Sequence, residues 1–140
     1  MYVDSHCHIH LRELAQRQDE VLRNMATNKV SHALCVTISL ADFPAALALA
    51  EKHDNIHTTV GVHPNPYPKD VGEIDIDKLV ELARHPKVVA IGETGLDYYR
   101  VKPRQKWQWD RFRAQIRASR KVGKPLVIHT RQAAEDTIQV

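Results

Sequence analysis

The chain reads as an α/β domain built on a parallel sheet. Two observations predict this. Short, β-branched apolar runs alternate with segments of helical apolar spacing, and the strand–helix pair occurs five times. The runs are strongly apolar, as in a sheet covered by helices rather than one with a wet face. With 140 residues the chain can bury a core of its own, and 1–140 reads as a single domain with no linker or low-complexity stretch.

YVDSH (2–6) opens as a short apolar-led strand. Residues 13–29 read as one helix, with Leu14, Val21, Leu22 and Met25 near helical spacing. ALCVTIS (33–39) reads as a buried strand, and 41–53 as a helix with Phe43, Ala46, Leu47 and Ala50 on one face. HTTVGVH (57–63) is the third strand, closed by Pro64, Pro66 and Pro68 in a polar loop over 64–74. Asp75 or Asp77 can cap a helix over 75–84. VVAIGET (88–94) is the fourth strand. A long basic helix spans 104–122, with Trp109, Phe112, Ile116 and Val122 as its expected inner face. PLVIHT (125–130) is the fifth strand, and 132–140 begins another helix.

Composition narrows the function classes. The cysteines are Cys7 and Cys35, with no CxxC, which argues against a disulfide framework and a thiolate zinc site. Both read as buried, inert thiols in a reducing compartment. The start of the chain lacks the basic and then apolar pattern of a secretory signal, and no apolar run reaches membrane-spanning length. The expected location is the cytoplasm. The net charge of +3 hides an uneven distribution: residues 100–131 hold eleven Lys/Arg against one acid, Asp110. Such a stretch either holds a polyanion or is a solvated helix face.

Nine histidines raise the prospect of a metal or acid–base centre. Alternation along a strand puts Asp4, His6 and His8 on one face, where two imidazoles can chelate a divalent ion. Ionisable residues recur at other strand ends: His63 in GVHPNP, Glu93 in IGETGLDYYR and His129 in KPLVIHTR. Parallel α/β proteins build their sites where the strands end. Glu93 suits a carboxylate that ligates or bridges metals, or one that caps a helix. His129 reads as a ligand or a core histidine. His63 reads as a ligand, a phosphate contact or a loop-shaping residue. Arg131 shares the face of His129. The loop TGLDYYRVKPR sets Asp97, Tyr98, Tyr99 and Arg100 together, a pattern that either grips a nucleic-acid strand or packs on its own helix. His10, His32, His53, His57 and His85 read as structural or solvated.

VDSHCH, GVHPNPY, GETGLDYYR and KPLVIHTR, in this order and spacing, closely resemble the TatD-like family of metal-dependent deoxyribonucleases. The resemblance covers the whole chain, and GETGLDYYR is its most specific segment. It implies a TIM-barrel metallohydrolase fold, here as five βα units of a normally eight-stranded parallel barrel. It implies two divalent metal ions of the Mg, Mn or Zn class. His6 and His8 would ligate the first, His129 the second, and Glu93 would bridge them as the catalytic carboxylate. His63, Asp97, Tyr98, Arg100 and Arg131 would hold the substrate. The implied partner is DNA, at single-stranded ends, with no membrane, and the implied reaction is phosphodiester hydrolysis. The family pattern continues with another histidine and an aspartate on later strands, so the chain reads as the N-terminal part of such an enzyme. Two other readings stand beside this one. A related barrel hydrolase is disfavoured because none of the strands ends in the lysine that those enzymes carbamylate. The other is an inactive fragment that only binds metal.

Overall fold

The computed structural model describes residues 1–65 and 74–140. Pro66, Pro68 and most of the expected 64–74 loop lie outside the described residues. Five strands form one sheet in the order β1-β2-β3-β4-β5, every neighbouring pair parallel. They are β1 (Tyr2–Cys7), β2 (Val30–Cys35), β3 (Ile56–Val60), β4 (Val88–Asp97) and β5 (Leu126–Arg131). Strict chain order, with no reversal, is the wall of a barrel and not a doubly wound sheet, which needs a switch point. The sheet is a half-barrel.

The helices fill the intervals. They are α1 (Arg12–Gln16), α2 (Gln18–Thr27), α3 (Phe43–Lys52), α4 (Ile76–Ala83), α5 (Lys106–Val122) and α6 (Ala134–Gln139). The core lies between them and the sheet in three clusters. Phe43, Leu79, Val80, Ala83 and Ala118 meet Val60, Val88 and Ile91. Leu49 and Ala50 meet Ala33, Cys35 and Ile56, with Val21, Leu22 and Met25 packed against them. Phe112 and Ala133 meet Leu96. The first helix departs from expectation. It breaks at Arg17, whose backbone leaves the helical region at φ −120° and ψ 24°. The break lets α2 lay Val21, Leu22 and Met25 on the core while Leu14 stays 43 % exposed. Asp75 caps α4, accepting from the Lys78 amide.

Two expectations about burial need correction. β1 and β5 are apolar yet largely exposed, with Tyr2, Val3 and Ile128 at 68 %, 66 % and 48 %. They are the edge strands of the half-barrel, so the burial expected for strands of this composition reaches only the inner three. The inner face of α5 is also more polar than expected. Phe112 is buried, but Trp109, Ile116 and Val122 are only half-buried, and Gln108, Arg111 and Gln115 go in beside Phe112. Position 115 follows 108 by seven residues and 111 by four, so the three share one stripe. Gln115 accepts from the Val62 amide and donates to the Val62 carbonyl and the Thr94 hydroxyl, at 2.9, 2.9 and 2.7 Å. Gln108 accepts from the Asp97 amide and donates to the carbonyls of Pro64 and Asp97. Arg111 donates to the His63 carbonyl at 3.1 Å, and burial pushes its guanidinium down to about 10. α5 therefore holds the chain beyond β3 and the end of β4 through backbone groups that would otherwise be buried without partners.

His10 ties the end of β1 to α3. Its imidazole is fully buried and meets Asp42 at 2.9 Å. Burial opposes charge on His10, but Asp42 and Cys35 outweigh it and raise the group from 6.5 to about 9. Burial likewise opposes charge on Asp42, but His10, Ser39 and the amides of Ile38 and Ser39 bring it from 3.8 to about 2. A raised histidine stabilises fully below its unfolded value and loses that contribution as pH rises through its folded one. A lowered carboxylate stabilises above its unfolded value and loses it as pH falls through the folded one. The pair should therefore stabilise the fold most between pH 3.8 and 6.5 and weaken it as pH climbs through about 9. Urea unfolding on either side of that upper limit checks this. His10→Gln should flatten the alkaline decline, and a decline of equal steepness in that variant would count against the pair. Cys35 is fully buried beside it, while Cys7 is half-buried and donates to the Leu34 carbonyl.

Candidate metal centre

His6 near the end of β1 and His8 just beyond it turn to one side, their rings 5.1 Å apart and edge to face. Both reach one oxygen of Glu93. His6 Nε2 stands 3.3 Å and His8 Nε2 4.0 Å from Glu93 Oε2. The other nitrogen of His8 lies 2.7 Å from the Val36 carbonyl, which fixes the proton on Nδ1 and leaves the Nε2 lone pair for the site. Glu93 was expected at a strand end. Instead β4 continues to Asp97, so Glu93 is inside the strand, and its amide donates to the Thr37 carbonyl at 2.8 Å.

The second oxygen of Glu93 faces the far side. Oε1 is 3.0 Å from His129 Nδ1 and 3.8 Å from His63 Nε2. One buried carboxylate thus stands between two nitrogen sets, His6 with His8 and His63 with His129. Ligand atoms bound at ~2.0–2.1 Å in a tetrahedron stand about 3.3 Å apart. The observed 3.0–4.0 Å spacings match. Burial pushes the Glu93 carboxyl up, but His129, His63 and His6 outweigh it and hold it below its ordinary value. It is an anion at neutral pH, with nitrogen lone pairs on both sides. A donor set of imidazoles and one carboxylate is the chemistry of zinc, manganese or iron.

His63 has a more specific role than its spacing could decide. The Asn65 amide donates to its Nδ1 at 3.1 Å, so the neutral ring carries its proton on Nε2. That proton points to His129 Nδ1, 3.2 Å away. Burial and the neighbouring His129 bring His63 down to about 4, so it is neutral at pH 7. Neutral His63 is a hydrogen-bond donor into the centre.

The expected substrate residues divide. Asp97 is fully buried, with one oxygen on the Tyr99 amide at 2.9 Å and the other on His129 Nε2 at 3.0 Å. The residue expected to hold substrate is turned to the protein, where it contacts His129. Tyr98 is spent on packing: its hydroxyl donates to Asp136 at 2.8 Å and accepts from Trp109 Nε1 at 2.9 Å. Arg100 is exposed. Arg131 is exposed as well and lays its guanidinium over the Tyr99 ring at 3.6 Å. Gln108, Arg111 and Gln115, which hold the strand ends, are absent from the expected site. Their signal was a helical stripe of polar residues interrupting the apolar face of α5.

A sequence model of the family described as TatD related DNase matches residues 3–140. An uncharacterized metal-dependent hydrolase of Bacillus subtilis, YabD, is 34% identical over all of this chain and 54% of its own. The protein named 3'-5' ssDNA/RNA exonuclease TatD from Enterobacter lignolyticus is 34% identical over 88% of this chain and 47% of its own. The crystal structure of a TatD family hydrolase from Entamoeba histolytica aligns with a TM-score of 0.81 at 28% identity, over 99% of this chain and 52% of that one. YjjV, a TatD homolog from Escherichia coli, aligns with a TM-score of 0.90 at 24% identity and shares the fold. The chain spans about half the length of the curated relatives it matches. The half-barrel, the motifs at its strand ends and the family match agree: the chain belongs to the TatD related DNase family.

Proposed function

We propose that this chain carries metal-binding residues of a hydrolase that cleaves phosphodiester bonds at the ends of DNA strands. The observation that carries the reading is Glu93, with one oxygen toward His6 and His8 and the other toward His129. Two divalent ions held on either side of that carboxylate would supply an acidified water and neutralise charge on the phosphoryl oxygens. The chain's own groups do the rest. Glu93 stays anionic and spans both sets. His63 offers its Nε2 proton to a phosphate oxygen. Arg100 and Arg131 are exposed cations suited to the strand's phosphates, and Tyr99 beside them offers a ring for a base. The name of the Enterobacter relative supports a nucleic-acid substrate.

The test is to incubate the purified chain with a labelled single-stranded oligonucleotide, with and without Mn2+. Metal-dependent release of nucleotides is expected; metal uptake without any shortening would reject nuclease activity for this chain. Arg100→Ala should weaken binding of the oligonucleotide and lower the salt dependence by about 0.7 in the log–log slope, the share of one single-strand phosphate. An unchanged slope would remove Arg100 from the interface.

A further inference from the structure

His129 touches a group at each ring nitrogen. Nδ1 faces Glu93 Oε1 and His63 Nε2; Nε2 faces Asp97 Oδ2. We propose that Asp97 is a positioning residue, which keeps the His129 proton on Nε2 and so leaves Nδ1 bare as a metal ligand. This rests on the reading of the site as a metal centre.

Three observations carry it. First, a carboxylate only accepts, so the 3.0 Å contact to Nε2 places a proton on that nitrogen. Second, His63 donates from the opposite side at 3.2 Å, and an acceptor is what it needs at Nδ1. Asp97 and His63 select the same tautomer; Glu93 Oε1 accepts at Nδ1 at the same 3.0 Å, so the metal-free ring can hold a proton there as well, and that proton is the one a metal displaces while Asp97 retains the other. Third, Asp97 cannot turn away. It is fully buried, its Oδ1 accepts from the Tyr99 amide, and Gln108 pairs with both its amide and its carbonyl. Partners of this kind orient a ligating imidazole and raise its basicity. Once Nδ1 has given up its proton, its lone pair lies 3.0 Å from the Glu93 oxygen, an approach of two acceptors that a cation relieves.

Asp97→Asn separates this role from a structural one. Its oxygen must stay on the Tyr99 amide, because the amide NH2 there would face another donor. The NH2 is then fixed toward His129 Nε2 and drives the proton to Nδ1. The shape is kept and the tautomer reversed. Mn2+ alone is titrated into the chain, its Asp97→Asn variant and its Asp97→Ala variant. The expected result is a loss of Mn2+ affinity of at least ~10-fold in Asp97→Asn, no smaller than in Asp97→Ala. Affinity in Asp97→Asn within twofold of the parent, or a loss clearly smaller than in Asp97→Ala, would overturn the proposal. Ring 15N NMR of the parent chain without metal, at a pH where His129 is neutral, supplies a readout free of variants. A protonated Nε2 is expected, and a protonated Nδ1 overturns the assignment. Failure of the parent itself to take up Mn2+ would reject the metal-centre reading, while the NMR result would still judge the tautomer.

Discussion

Glu93→Gln should abolish metal uptake while leaving the half-barrel folded. An amide keeps one carbonyl oxygen but replaces the other with an NH2, which donates and does not ligate. Whichever way the side chain settles, it loses either the contact with His6 and His8 or the one with His129. The negative charge between the two nitrogen sets also disappears, so a divalent ion would meet neutral imidazoles alone. A first-hand ligand costs more than the partners behind it, whose removal takes 10–100-fold. We expect a loss of at least ~100-fold in Mn2+ or Zn2+ affinity by calorimetry, with the circular dichroism spectrum preserved. Any metal-dependent cleavage by the chain should vanish with it. Binding within threefold of the parent would remove Glu93 from the centre and leave the two histidine sets unconnected.

Much of this site is readable from the chain alone, for a physical reason. Strand alternation fixes which side His6 and His8 share, and parallel strands bring their ends to one rim. Glu93, His63 and His129 follow from the same rule, even though β4 runs on to Asp97 and leaves Glu93 inside the strand. What each side chain does there depends on contacts that spacing does not encode. The tautomer of His63 is set by the Asn65 amide, and the turn of Asp97 toward His129 depends on the register of β4 against β5. Tyr98 lies beside charged neighbours in sequence, yet Trp109 and Asp136 claim its hydroxyl. The fold divides in the same way. Element order follows from periodicity, whereas the break at Arg17 and the polar stripe of Gln108, Arg111 and Gln115 follow from what each helix meets. From sequence the basic stretch reads as a polyanion site or a solvated face over an apolar stripe, and its glutamines gain a role only once the strand ends beneath them are in view.

Register is also where the fold is most vulnerable, and Gly95→Ala should unfold it. Gly95 stands opposite His129 in the β4–β5 ladder, midway in sequence between Glu93 and Asp97. Its φ is +136°, and a Cβ built there would lie 1.9 Å from the His129 carbonyl oxygen. That atom is backbone in a paired strand, so rotamer adjustment cannot relieve the overlap; the strands must part or the register must shift. Either movement separates His129 from both carboxylates and exposes the ladder at the edge of the sheet. Gly123 supplies the control. It also has a positive φ, +69°, at the C-terminal cap of α5, but an added Cβ meets no atom within 4 Å. Gly123→Ala should therefore cost only the left-handed penalty, about 1 kcal/mol. Gly95→Ala should exceed about 4 kcal/mol, a large part of the ~5–15 kcal/mol that holds a domain together. Urea unfolding of the two variants, read by circular dichroism, makes the comparison. Equal costs would mean that β4 and β5 yield to the added methyl, and that the spacing which sets His129 between Glu93 and Asp97 is not held by the glycine.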